Sequence, residues 1–243
     1  MTNADVLAEK VMIALDYQNA AQAERLLDSL AGFPCYMKVG MQLYYATGPS
    51  FVEQLKRRGY KVFLDLKLHD IPHQVKGAAD SIARLGVDMF NVHAAGGIRM
   101  MEAALEGAQS GAQACGLKRP LLIAVTQLTS TDREVLNREI GIEGSVEQCV
   151  LRYANLAKRS GLDGVVASPR EVEAIKNAEG KAFLTVTPGI RPKGSDSGDQ
   201  ARTMTPREAV KAGSDYLVIG RPITAAPDPA YALKRILEEM SEA

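Results

Sequence analysis

Eight short apolar runs of strand length, separated by stretches with helical periodicity, constrain this chain more than any other feature. They read VMIALD (11–16), CYMKVG (35–40), KVFLDLK (61–67), MFNVHA (89–94), LLIAVT (121–126), GVVAS (164–168), FLTVTPG (183–189) and YLVIG (216–220). Between them lie segments such as NAAQAERLLDSLAG, PSFVEQLKRRG, IPHQVKGAADSIARLG and SVEQCVLRYANLAKRSG, several closing on a Gly suited to a left-handed helix cap. Alternation of strand and helix predicts parallel strands joined by right-handed crossovers. Eight such units in 243 residues match one α/β barrel of the (β/α)8 TIM type, with residues 1–243 as a single domain.

The composition fits a packed globular chain, at 46% hydrophobic and 24% charged residues. Lys plus Arg equals Asp plus Glu at 29 each, so no large field of one sign favours nucleic acid or an anionic membrane as partner. A small molecule is the expected ligand. No apolar run approaches the roughly 20 residues that span a bilayer, and MTNADVLAEK lacks the basic-then-apolar pattern of a signal peptide. A cytoplasmic protein is expected. Cys35, Cys115 and Cys149 are odd in number, widely spaced and without a Cys-x-x-Cys pair, which argues against disulfides and zinc. They are expected to be small buried apolar side chains.

Polar residues collect where a barrel enzyme keeps its active site. Asp16, Lys38, Asp65 with Lys67, His93 and Thr126 all fall at or near the carboxyl end of their strand. Two connections are long: QLTSTDREVLNREIGIEGS after the fifth strand and IRPKGSDSGDQARTM after the seventh. Loops of that length in a compact domain are functional lids or disordered segments. In the second, Gly194, Ser195, Ser197 and Gly198 between Arg191 and Gln200 have the composition of a mobile flap.

In KVFLDLK the two-residue period of a strand puts Asp65 and Lys67 on one face, their Cβ atoms about 6 to 7 Å apart. Asp70 follows in the turn, and Pro72 suits the first position of the next helix. With Lys38, two opposite-charge pairs converge on the barrel mouth, an array that an ordinary solvated patch does not explain. A lysine beside carboxylates keeps its charge and can donate a proton to a carbon that has just lost CO2. The loops TPGIRPKG and VIGRPIT, after the seventh and eighth strands, stand where barrels bind phosphate. There Gly189 and Gly220 permit close backbone approach, and Arg191 and Arg221 supply charge and a planar donor fork. Asp16 can accept hydrogen bonds from a sugar hydroxyl or can cap the helix that begins near Asn19. His69, His73 and His93 lack metal-ligand spacing, so local hydrogen bonding is expected and metal ligation is not.

ALD, MKVG, DLKLHDIP, LTS, TPGIRP, GDQ and IGRPIT stand in an order and spacing that resembles the bacterial orotidine 5'-monophosphate decarboxylase family over essentially the whole chain. The Asp-x-Lys-x-x-Asp run alone would indicate only the wider decarboxylase suprafamily. The resemblance implies decarboxylation of orotidine 5'-monophosphate to uridine 5'-monophosphate, without a cofactor or metal, in a homodimer with shared sites. It casts Lys67 as the proton donor to C6 of the pyrimidine within a charged tetrad of Lys38, Asp65, Lys67 and Asp70. Asp70, with Ile71 beside it among the substrate contacts, would serve the neighbouring subunit's site. Asp16 and Lys38 resemble a ribose-contacting pair, and Thr129 a contact near the pyrimidine, with Ser130 a rival for that role. Gln200, Gly220 and Arg221 resemble a phosphate grip, to whose closing loop Arg191 belongs. One departure stands out: the family commonly reads Asp-Ile-Pro-Asn-Thr, whereas this chain has His73 and Gln74 after the Pro. The Thr hydroxyl near the ribose is therefore missing, and the Gln74 amide is its candidate replacement. Two readings remain beside the leading one: a metal-dependent keto-sugar-phosphate decarboxylase of the same suprafamily, and a phosphate-ligand-binding barrel without catalysis.

Overall fold

The structure, a computed structural model, describes residues 2–193 and 203–243. Its eight parallel strands close into a barrel in sequence order. They are β1 (Val11–Ala14), β2 (Tyr36–Gly40), β3 (Lys61–Leu68), β4 (Met89–His93), β5 (Leu121–Val125), β6 (Gly164–Val166), β7 (Leu184–Thr187) and β8 (Tyr216–Ile219). β8 pairs back onto β1, so the sheet has no free edge. Every expected strand forms, most of them cut short at the carboxyl end, where the chain leaves the ladder for the loops above the barrel.

Inward-facing Met12, Tyr36, Phe63, Met89, Ile123, Val186 and Val218 fill the barrel as one apolar plug. Outward-facing Ile13, Met37, Leu64 and Phe90 alternate with them and are fully buried. The helix Ala20–Ser29 starts at Asn19, whose side chain accepts the Gln22 N–H at 3.1 Å, and turns Ala23, Leu26 and Leu27 to the core. Val146–Arg159 starts from a capping box between Ser145 and Gln148 and buries Cys149, Val150, Tyr153, Ala154 and Ala157. The helices Pro72–Arg84 and Gly97–Ala114 meet almost backbone to backbone. A Cβ at Gly107 would lie 2.1 Å from the Lys76 carbonyl oxygen, and one at Gly111 2.3 Å from that of Asp80.

A threefold recurrence holds the amino-terminal end of the barrel. Gly86-Val87-Asp88, Gly161-Leu162-Asp163 and Gly213-Ser214-Asp215 each lead into an even-numbered strand. The three carboxylates accept the backbone N–H of Val62, Leu122 and Thr185 on the preceding strand, each at 2.7 Å. Each also holds one cation: Lys56 at 2.5 Å, Arg119 at 2.8 Å and Lys176 at 2.6 Å. Strands β3 and β4, β5 and β6, and β7 and β8 are thereby tied in pairs.

Two expectations need correction. The connection after β5 is neither wholly a lid nor disordered: Leu136 is fully buried and a π-helical turn spans Val135–Glu139. The Asn137 amide donates to the carbonyls of Ile142 at 2.6 Å and Gly144 at 3.0 Å, which closes the loop on itself. Cys115 is exposed at the end of its helix, whereas Cys35 and Cys149 are buried as expected. Burial pushes the Cys35 thiol up to about 12, so it stays protonated. Among the described residues no helix is long and apolar enough to cross a membrane.

Candidate active site

A cavity of about 450 Å³ opens at the carboxyl ends of the strands. Asp16, Lys38, Asp65, Lys67, Thr129, Ser130, Arg191, Gly220 and Arg221 line it together, although they come from both halves of the chain. Phe63, Val125, Val166, Pro188 and Val218 give it an apolar wall.

On its floor, charges alternate along a chain. Lys38 Nζ lies 3.2 Å from Asp16 Oδ1 and 3.4 Å from Asp65 Oδ2, and Lys67 Nζ lies 2.6 Å from Asp65 Oδ1. Lys38 is thus shared between two carboxylates. Burial disfavours its charge, but Asp65 and Asp16 more than compensate and raise its pKa above the ordinary lysine value. Burial likewise opposes the Asp65 charge, yet Lys38, Lys67 and a hydrogen bond from Asn91 hold that carboxyl below its usual range. Asp65 is therefore an anion and Lys38 a cation at neutral pH. Gly40 gives the pair its room: a Cβ there would come within 3.3 Å of Lys38 Nζ and 3.6 Å of Asp16 Oδ1. Asp16 does not cap the next helix, because Asn19 does so.

The approach of Lys67 to Asp65 does not come from simple strand alternation. Between the pairs Leu64–Phe90 and Leu68–Val92, β3 uses four residues where β4 uses two. Asp65, Leu66 and Lys67 bulge opposite Asn91, and Lys67 adopts φ 54°, alone among the described non-glycine residues in having positive φ. Asn91, 1% exposed, donates from Nδ2 to Asp65 Oδ1 at 2.7 Å and accepts the Lys67 backbone N–H at 2.8 Å. Sequence reasoning missed this residue. Its signal was an amide in the apolar run MFNVHA, two positions from inward-facing Met89.

The remaining expected residues divide. Thr126 is buried and donates to the Val166 carbonyl at 2.9 Å, tying β5 to β6 instead of facing the cavity. His93 is half-buried with its ring 5.5 Å from that of His69. Burial, then the neighbouring His69 and Lys67, lower its pKa against the pull of Asp65. Arg191 and Arg221 line the cavity beside Pro188 and Gly220, and the Ile190–Met204 bridge joins the two stems of the connection after β7. Gly189, at φ 82°, needs to be glycine to make the turn into that connection. Asp70 and Ile71 are exposed outside this cavity, with Asp70 Oδ1 accepting the Ile71 N–H at 2.6 Å. His73 and Gln74 are exposed on the helix that follows. Gln200 and the central part of the expected flap, residues 194–202 of the stretch 191–203, lie outside the described residues. Among the described residues no group of three or more His, Cys, Asp or Glu side chains could hold a metal ion.

Comparison with known proteins gives concordant results. The model of the orotidine 5'-phosphate decarboxylase / HUMPS family matches residues 9–236. An orotidine 5'-phosphate decarboxylase of Moorella thermoacetica is 54% identical over 232 residues, 96% of this chain and 92% of that one. A protein of the same name from Geobacillus sp. is 51% identical over 94% of this chain and 95% of its own. Among solved structures, orotidine 5'-phosphate decarboxylase from Lactobacillus acidophilus superposes with a TM-score of 0.85 at 42% identity, covering 95% of this chain and 98% of that one. A conserved Geobacillus kaustophilus protein does so with a TM-score of 0.84 at 49% identity, covering 95% and 99%.

Proposed function

The chain belongs to the orotidine 5'-phosphate decarboxylase / HUMPS family, and we propose that its ion chain Asp16–Lys38–Asp65–Lys67 carries the reaction of that family's decarboxylases. The protein is a carboxy-lyase of pyrimidine biosynthesis, converting orotidine 5'-monophosphate to uridine 5'-monophosphate and CO2. The observation that carries our assignment is Lys67 Nζ, 2.6 Å from the Asp65 carboxylate on the cavity floor. When the C6–carboxylate bond breaks, CO2 departs and the electron pair stays on C6. The Lys67 ammonium stabilises that pair and transfers a proton to it, and the resulting amine recovers its proton from solvent. Asp65 orients the ammonium through its 2.6 Å contact, and its charge lies beside the substrate carboxylate until CO2 leaves.

The other roles follow the cavity. Asp16 and Lys38 bind the ribose hydroxyls, and Thr129, with Ser130 beside it, contacts the pyrimidine. Arg191, Arg221 and the backbone at Gly220 bind the phosphate together with Gln200. Asp70 and Ile71 act in the neighbouring subunit of a homodimer, a reading supported by their exposure outside the cavity of their own chain, with Ile71 63% exposed. Residues 1–243 work as one catalytic unit, with no cofactor and no nucleic-acid partner, and cytoplasmic residence belongs to the same reading. The test is the loss of orotidine 5'-monophosphate absorbance in the presence of a chelator. Wild-type turnover should persist, whereas Lys67→Ala should abolish the chemical step and still bind the nucleotide. Turnover that vanishes with chelator and returns with magnesium would overturn the metal-free reading. Near-wild-type turnover in Lys67→Ala would overturn the role of Lys67 and favour catalysis elsewhere.

A further inference from the structure

The bulge in β3 leaves an unusual gap in the barrel, and one side chain fills it. Opposite Asp65, Leu66 and Lys67 the β4 strand offers a single residue, Asn91, before the ladder resumes at Leu68 and Val92. Two extra residues in one strand leave backbone groups without ladder partners and turn the bulged side chains to new directions. Lys67 then stands at φ 54°, a conformation that lysine adopts only when its surroundings impose it. The Asn91 amide is what faces it. Its oxygen takes the Lys67 N–H at 2.8 Å, in place of the missing ladder carbonyl, while its nitrogen donates at 2.7 Å to the same Asp65 oxygen that binds the Lys67 ammonium.

We propose that Asn91 is a positioning residue for the decarboxylation: one amide fixes the Lys67 backbone and the Asp65 carboxylate together. This sets the direction from which the ammonium meets C6. The inference rests on the reading of Lys67 as proton donor given above. Asn91 does not line the cavity and need not touch substrate. A neutral amide suits the place because it can donate to an anion with one end and accept from a backbone N–H with the other, which neither an aliphatic nor a charged side chain does. At 1% exposure no solvent replaces either bond. A displacement of the ammonium by a fraction of an ångström would then act on the chemical step, leaving the ribose and phosphate contacts in place.

The experiment compares wild type, Asn91→Ala and the nearly isosteric Asn91→Asp, with Lys67→Ala as reference. It reads the single-turnover rate of decarboxylation, KM, the affinity for uridine 5'-monophosphate and the melting temperature. Asn91→Ala loses both bonds. Asn91→Asp keeps the acceptor for the Lys67 N–H and replaces the donor to Asp65, so it retains the backbone brace in a side chain of the same shape. We expect the single-turnover rate to fall on the order of 10²-fold in Asn91→Ala and substantially in Asn91→Asp, with product affinity and KM nearly unchanged. Unaltered single-turnover rates in both variants would overturn the proposal. So would a rate that falls only in step with product binding and melting temperature, since that marks a merely structural role. Full turnover in Lys67→Ala would instead refute the proton-donor reading on which the inference stands, an outcome distinct from either.

Discussion

At the scale of single residues, the site is a set of charges held against their own desolvation. Burial alone would neutralise Asp65 or Lys38, and each stays charged because the other, flanked by Lys67 and Asp16, lies within salt-bridge distance. His93 sits at the edge of this network under the opposite influence, with burial and the nearby His69 and Lys67 all resisting its protonation and only Asp65 favouring it. Its folded pKa lies below the ordinary imidazole value of about 6.5, so the unfolded chain binds more protons between the two pKa values. Stability contributed in this way is complete above about pH 6.5 and falls as the pH drops through that window. The lowered pKa of Asp65 adds a second loss at more acid pH, below the ordinary aspartate value of about 3.8. Urea unfolding between pH 7.5 and pH 5 should therefore record a falling midpoint in the wild type and a flatter profile in His93→Asn. Identical slopes for the two proteins would contradict this account.

At the scale of elements, β3 and its neighbours decide the chemistry, while the helices decide whether the barrel closes tightly. Alternation in KVFLDLK made Asp65 and Lys67 legible as partners, because charged residues at the end of an apolar strand of a barrel have few places to go. The bulge was not legible. Its cause is the pairing of β3 with β4 and the amide of Asn91, which are contacts across 24 and 26 residues of sequence. The three aspartates that staple strand pairs escaped notice for the same reason, since each pairs with a backbone group on another element. The close helix crossing offers a direct check. Gly107→Ala would drive a methyl to 2.1 Å from a backbone carbonyl oxygen, so the helices Pro72–Arg84 and Gly97–Ala114 must separate. Thermal denaturation should record a loss of about 1 to 3 kcal/mol, typical of overpacking, and residual folded enzyme should keep its turnover per site. A variant as stable as wild type would mean that the crossing yields freely.

At the scale of the whole molecule, the cavity of one chain accounts for Asp16, Lys38, Asp65 and Lys67 and leaves Asp70 and Ile71 outside. If these two complete the site of a second subunit, chains carrying Lys67→Ala and chains carrying Asp70→Ala should each be inactive alone. Mixed after subunit exchange, they should recover about one quarter of the wild-type rate, since half of the dimers are mixed and each mixed dimer has one intact site of two. Absence of recovery, with exchange verified by mass, would rule out the shared site.

The sequence by itself determined the eight strands, their parallel order and the end of the barrel that carries the chemistry. These depend on local periodicity and on the few ways alternating strands and helices can pack. It also marked Asp16, Lys38, Asp65, Lys67, Arg191, Gly220 and Arg221, because each stands towards the carboxyl end of a strand or in the loop that follows it. Only the tertiary structure decided that Lys38 is shared by two carboxylates, that Thr126 bonds to β6 and does not line the cavity, that Cys115 is exposed, and that Asn91 bonds Lys67 in the bulge of β3. Those facts depend on which side chains meet across the barrel and on how burial shifts the balance of charge, and neither is written in the spacing of residues along one strand.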